Sequence, residues 1–183
     1  MDKNELKNII QCDLSRYDGH IPGIKDLLLH NEGFYISRYM RHMRFMEYHR
    51  GKGFVHKCPY LWHWYFLKRL QFKLHVAIYP NTVGPGFRLY HIGAYTHIGP
   101  NVKIGKNCTI VSGVVFGNKY IVPDDNIVSV GDNCYFGIGC KIFGSVNIGD
   151  NVIVGANAII SKDIPDNAVV VGNNHILRIR KEQ

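Results

Sequence analysis

The sequence predicts a mainly-β fold: a parallel β-helix of hexapeptide repeats over residues 76–171, behind an α-helical region at 1–75 and ahead of a basic tail at 172–183. Three observations predict it. A six-residue unit recurs from Ile98 with a large apolar first position; the fourth position is almost always Asn or Gly; and residues 34–49 carry an apolar stripe at helical spacing without Gly or Pro.

The first position is Ile98, Ile104, Ile110, Val130, Phe136, Ile142, Ile148 and Val154, and the fifth is Val102, Cys108, Val114, Cys134, Cys140, Val146, Val152 and Ala158, all small and uncharged. Position 4 is Asn101, Asn107, Gly113, Asn133, Gly139, Ser145, Asn151 and Asn157. Asn and Gly best tolerate a positive φ, so the pattern predicts a corner every six residues. Three corners close a triangular coil of eighteen residues, with position 1 pointing inward and position 5 kept small where the interior narrows. Cys108, Cys134 and Cys140 are then core residues rather than ligands. Two interruptions stand out. Phe116 to Val130 is not a multiple of six, so residues 117–129 must leave the prism as a loop around Pro123-Asp124-Asp125-Asn126, and residues 90–97 form a bulge.

In the N-terminal region, Asp2 to Cys12 suits a short helix, and His20-Ile21-Pro22-Gly23 a break. In 34–49, positions 36, 39, 40, 43 and 46 share one face with Arg38, Arg41 and Arg44 on others. Pro59 opens a second, more apolar helix. It packs on the solenoid or a neighbouring subunit, or makes a peripheral membrane contact through Trp62, Trp64 and nearby Lys/Arg.

Composition sets outer bounds. The chain has 183 residues, 46% of them hydrophobic, and a net charge of +8. Residues 1–75 hold 13 Lys/Arg against 7 Asp/Glu. That excess could meet a nucleic acid, an anionic membrane or a phosphorylated ligand, or be a solvated helical surface. No apolar run reaches a membrane span, and MDKNELKN lacks a secretory core, so a cytoplasmic protein is expected, at most at the inner face of the membrane. Five cysteines without a CxxC pair argue against disulfides, and neither metal nor nucleic acid is expected.

The chain resembles the serine acetyltransferase-like branch of the hexapeptide-repeat acyltransferases. The stretches that carry the likeness are DLSRY, GPGFRLYHIG, IGKNCTIVSGVVFG, FGIGCKIFG and IGDNVIVGANAIISKDIPDNAVVVG. The resemblance implies a left-handed β-helix, a homotrimer with active sites between adjacent prisms, and acetyl-CoA as co-substrate. Aligned on GPG-x-x-x-x, His91 is the expected general base, with His97 in the same bulge as its rival. A histidine titrating near ~6.5 can take the proton of an attacking hydroxyl at neutral pH. For CoA, the likeness points to backbone amides at Gly113, Ile138 and Ala156, with Lys162, Arg178 and Arg180 near the nucleotide phosphates. The chain departs from the serine-specific pattern in two places. Ala77-Ile78-Tyr79-Pro80 stands where Asp-Ile-His-Pro is usual, and Asn126, Ile127 and Val128 stand where Arg-His-Pro would bind serine. Asp13 or Asp18 is left to supply an acid. These departures lean the expectation toward a sugar hydroxyl of a polysaccharide precursor, closest in pattern to polysaccharide-biosynthesis O-acetyltransferases. Serine acetyl transfer and an inactive β-helix scaffold are the alternatives.

Overall fold

The computed structural model describes residues 1–17, 22–118 and 127–180. Asp18, Asn126, most of the extruded loop and half of the His20–Gly23 break lie outside the described residues.

Four α-helices precede the strands: α1 (Lys3–Ser15), α2 (Ile24–Leu28), α3 (Glu32–His49) and α4 (Lys57–Leu74). Asp2 caps α1 in a reciprocal box with Glu5, each satisfying the other's backbone N–H. Asn31 caps α3 by accepting from the Gly33 amide at 2.9 Å. The apolar stripe of α3 faces inward: Ile36, Tyr39, Met40, Met43 and Met46 are all buried. Pro59 sits in the first turn of α4, where its missing N–H costs nothing, and His75 ends that helix in the left-handed region.

The strands form three sheets, the faces of a prism, parallel throughout except for the final strand. The first is β1 (Val76–Ile78), β3 (Thr96–Ile98), β6 (Val115–Gly117), β9 (Lys141–Phe143) and β12 (Ile159–Ile160). The second is β4 (Val102–Ile104), β7 (Val128–Val130) and β10 (Val146–Ile148). The third is β2 (Arg88–Tyr90), β5 (Thr109–Val111), β8 (Tyr135–Phe136), β11 (Ile153–Val154), β13 (Ala168–Val171) and β14 (His175–Ile179). The chain visits first, second and third faces in turn. Lys141 faces Ile159 and Tyr135 faces Ile153, eighteen residues apart. Val102 faces Val128, eight residues more, which is the length the loop removes from that coil. Leu89 faces Ile110, three more than a coil, which is the bulge.

Every first- and fifth-position residue is buried. Burial pushes the Cys140 thiol up to about 12, consistent with an inert core side chain. The corners divide by edge. Between the second and third faces, Asn107, Asn133, Asn151 and Asn167 take positive φ, and their side-chain amides stack in a ladder at 3.1–3.4 Å. Beside it, Asp132, Asp150 and Asp166 each accept a backbone N–H from the coil before. Asn101 and Ser145, expected to take positive φ, do not. They lie between the first and second faces, where Gly144 makes the turn at φ 89°.

Both ends of the coil stack are covered. At the first coil, the buried Tyr39 hydroxyl donates to the Ile78 carbonyl at 3.1 Å and accepts the Ile78 amide at 3.0 Å. At the last, β14 turns back antiparallel on β13.

Four histidines spaced seven apart join α3 to the start and middle of α4. His42 Nδ1 lies 2.9 Å from His63 Nδ1, and His49 Nδ1 lies 2.7 Å from His56 Nδ1. In each pair one imidazole donates and the other accepts, which needs an unprotonated acceptor nitrogen. Burial first, then His63, Arg38 and Arg41, hold His42 down at about 4; burial and a neighbouring histidine also lower His49 and His63. The unfolded imidazole, near ~6.5, therefore takes the proton first, so this stabilisation is full above about pH 6.5 and lost as pH falls toward 4. The melting temperature is expected to drop by a few degrees, roughly 2–4 °C per kcal/mol lost for a chain of this size, between about pH 7 and 5. His42→Asn should flatten that slope; an unchanged slope would remove the histidine pairs as its cause.

Candidate active site

His91 follows β2 directly, at the corner between the third and first faces, with φ +64°. Its side chain is 54% exposed. Nδ1 lies 2.6 Å from Glu32 Oε1, and Glu32 Oε2 accepts the Ile92 amide at 3.3 Å. A carboxylate only accepts, so Nδ1 carries the proton and Nε2 keeps its lone pair. The Tyr90 ring packs 4.2 Å from the imidazole and carries the Arg88 guanidinium on it. Glu32 is the acidic residue of the first turn of α3, an ordinary choice at a helix N-terminus. Nothing in the linear pattern ties it to a histidine 59 residues on; only the docking of α3 on the first coil does.

Asp13, one of the two acids left open above, does not reach His91. Its oxygens accept from Arg44 Nε at 2.9 Å and Nη2 at 3.4 Å and from the Gly86 and Phe87 amides at 2.9 and 3.2 Å. Arg44 also donates to the Val83 and Gly84 carbonyls at 2.8 and 2.7 Å and to Glu47 at 3.3 Å. On balance burial raises the Asp13 carboxyl above its ordinary value, with the Arg44 guanidinium and the two amides opposing it. With four donors on its two oxygens, Asp13 is held as the carboxylate. This network clamps Gly84-Pro85-Gly86-Phe87 between α1 and α3, and so fixes the strand that presents His91. Gly84 permits the close approach: a Cβ there would meet the Gly105 carbonyl oxygen at 2.6 Å.

His97 points elsewhere in the bulge. It stacks on Tyr95 at 6.0 Å, has Tyr79 edge-on at 6.2 Å, and burial lowers its pKa. No carboxylate contacts it among the described residues.

The register brings several expected residues to one edge. Tyr90 pairs with Val111, Ile110 with Phe136 and Phe136 with Val154, so His91, Gly113, Ile138 and Ala156 follow their strands at the same corner in successive coils. At ~4.8 Å per strand spacing, His91 to Ala156 spans roughly 14 Å. Ile138 is 51% exposed and Ala156 is exposed. The Gly113 amide is already donated to the buried Thr96 hydroxyl at 2.9 Å, so it does not face out as a donor. The Gly113 and Gly139 carbonyls both take the Lys141 ammonium, at 2.6 and 2.9 Å.

Other expected residues are not on this edge. Lys162 follows β12, and Ile127, 60% exposed, precedes β7; both lie between the first and second faces. Arg178 is exposed on β14, opposite Val169. The Arg180 guanidinium is engaged by the Asn151 carbonyl, so it stays on the prism wall.

The bacterial transferase hexapeptide family (six repeats) matches residues 90–118, and the hexapeptide repeat of succinyl-transferase matches 127–162. A serine acetyltransferase of Helicobacter pylori is 30% identical over 115 residues, covering 60% of this chain and 67% of the relative. The chain belongs to the hexapeptide-repeat acyltransferase family. Its homologues there are serine acetyltransferases: that of Bacillus subtilis is 32% identical over 114 residues (59% of this chain, 52% of the relative), and that of Mycobacterium tuberculosis 39% over 75 residues (41% and 33%). The chain thus spans only a third to a half of the length of these two. Among solved structures, Neisseria gonorrhoeae serine acetyltransferase superposes with a TM-score of 0.73 at 23% identity, covering 98% of this chain and 69% of that one. The Brucella abortus serine acetyltransferase complex with coenzyme A gives 0.73 at 21%, covering 96% and 68%. The fold is the left-handed β-helix of these enzymes.

These relatives overturn the expectation of a sugar acceptor and of a closest likeness to polysaccharide-biosynthesis enzymes. That reading rested on a missing carboxylate and an apolar loop. Glu32 supplies a carboxylate from another element, Ile127 sits on an edge that does not carry His91, and Asn126 lies outside the described residues.

Proposed function

We propose that this protein transfers the acetyl group of acetyl-CoA to the hydroxyl of serine, with His91 as general base and Glu32 as its positioning residue. The carrying observation is the 2.6 Å contact of Glu32 Oε1 with His91 Nδ1, at the head of the edge that continues through Ile138 and Ala156. Held in this tautomer, Nε2 accepts the serine hydroxyl proton as the oxygen attacks the thioester carbonyl. The tetrahedral intermediate collapses by breaking the C–S bond, and the departing thiolate takes the proton back from Nε2. The Glu32 carboxylate faces the imidazolium formed in between and stabilises it where charge develops. The Ile138 and Ala156 amides support reading this edge as the seat of the elongated CoA, with its anionic end toward the later coils.

The exposure of His91, together with the placement of Ile127 and Lys162 on the next edge, supports a homotrimer in which one prism's His91 edge meets its neighbour's loop edge. Enclosure by a neighbour would exclude the water that otherwise competes for the thioester.

Purified protein with acetyl-CoA and L-serine should release thiol and form O-acetylserine, read by a chromogenic disulfide and by mass spectrometry. Thiol release no faster with serine than without it would refute the acceptor. Glu32→Gln keeps an acceptor for Nδ1 but removes the charge, whereas Glu32→Ala removes both. The expected order of kcat is wild type, Gln, Ala, the last lower by about 10–10²-fold with KM for acetyl-CoA unchanged. A Glu32→Ala enzyme within twofold of wild type would leave Glu32 without a role.

A further inference from the structure

α4 presents two opposite faces. At about 100° per residue, Leu67, Leu70 and Leu74 cluster on one side, and Leu61, Tyr65 and Phe72 fall within about 40° of one another on the other. Leu67 and Leu74 are buried; Leu61, Tyr65 and Phe72 are 58%, 49% and 85% exposed. Trp62 and Trp64 flank the outer stripe, also exposed, and Phe54 and Val55 extend it beyond the helix start at 81% and 84%. Lys57, Lys68, Arg69 and Lys73 are exposed among these apolar groups, and α4 carries no acidic residue. No Asp or Glu occurs between Glu47 and Asp124, and Glu32 and Glu47 are committed to His91 and to Arg44 and the Asn81 amide. Beside the stripe, α2, α3 and α4 enclose an apolar cleft of about 620 Å³ lined by Leu27, Tyr35, Trp64 and Phe72 and rimmed by Arg38 and Lys68.

We propose that this face is a docking surface for an anionic lipid membrane, on which α4 lies flat. A helix with an apolar stripe, flanking tryptophans and only cations among its charged residues matches the interface of a bilayer with anionic headgroups. The charge decides against the other occupants. A second copy would bring Lys57, Lys68, Arg69 and Lys73 against the same four cations, with no exposed carboxylate among the described residues of this face to answer them. A nucleic acid would stack on the aromatics but leave Leu61, Phe54 and Val55 facing polar backbone. No described helix is long and apolar enough to cross a membrane, so the contact is peripheral. The surface is independent of the acceptor assigned above.

The test uses the whole chain and sedimentation with vesicles, either phosphatidylcholine alone or phosphatidylcholine doped with phosphatidylglycerol. Binding should be at least about 10-fold tighter to the anionic vesicles and weaken in high salt, with a blue shift of tryptophan emission on binding. Leu61→Ser/Phe72→Ser should weaken binding by about 10-fold or more, and Lys68→Glu/Arg69→Glu should erase the preference for anionic lipid. All four positions are exposed, so both variants should keep the wild-type circular dichroism and acetyl-transfer rate. The proposal is overturned by equally weak sedimentation with both vesicle types, by variants that bind as wild type, or by tighter binding to single-stranded nucleic acid than to vesicles. A higher oligomer in light scattering that Leu61→Ser/Phe72→Ser reduces would assign the face to a second copy and overturn it as well.

Discussion

Replacing His91 by alanine is expected to lower acetyl transfer by about 10²–10⁴-fold while leaving acetyl-CoA binding near normal. The loss falls on kcat because the imidazole acts as the proton leaves the hydroxyl, when charge is developing, and contributes little to holding the thioester beforehand. Isothermal titration with CoA and steady-state kinetics separate the two quantities. His97→Ala serves as the comparison, since that ring is held between Tyr79 and Tyr95 without a carboxylate partner among the described residues. Near-normal turnover in His91→Ala with loss of turnover in His97→Ala would transfer the role to His97.

Arg44→Met should be the most destabilising single change in the helical layer, costing about 3–5 kcal/mol. Methionine fills much of the volume, yet it leaves the buried Asp13 carboxylate without its counter-charge and the Val83 and Gly84 carbonyls without their donor. Urea denaturation followed by circular dichroism measures the cost. Arg44→Met/Asp13→Leu should recover part of it, because removing both charges relieves the desolvation that removing one exposes. A single variant as stable as wild type would mean that the network contributes nothing. The same variant should also slow acetyl transfer, because the clamp on Gly84–Phe87 sets where β2 delivers His91.

The solenoid was legible because sterics repeat with the chain. An apolar residue every six positions and a small one four later have a physical counterpart in every coil, and Phe136 or Cys140 could be placed without knowing any other contact. The inner face of α3 was legible for the same reason, since Ile36, Tyr39, Met40, Met43 and Met46 carry their own period. Corners were legible on two edges only, because the turn at Gly144 uses a residue one place earlier than the repeat suggests. The site was half legible. His91 announces itself by following GPG at a fixed distance, but Glu32 looks like any helix-starting acid, and its meaning arises only from how α3 docks. Asp13 misled in the opposite sense: an acid near the right motif turned out to serve an arginine. The acceptor was not legible, because the sequence shows which side chains are missing beside His91 but not that Glu32 comes from another element to replace one of them.

The two closures of the coil stack have a consequence for the protein in bulk. Parallel strands stacked in register, with ladders of identical amides along an edge, have the geometry of an amyloid protofilament, and a bare last coil would be a template on which another prism could grow. Here Tyr39 engages the backbone of Ile78 at one end, and at the other β14 pairs antiparallel to β13 with a bulge between Val169 and Val170. A strand that runs the wrong way and carries a register shift offers an incoming parallel coil no continuous ladder to extend. The short reverse strand is thus placed to act as a chain terminator for self-assembly, and deleting residues 175–183 should give a protein that forms thioflavin-positive fibrils on standing where the full chain forms none.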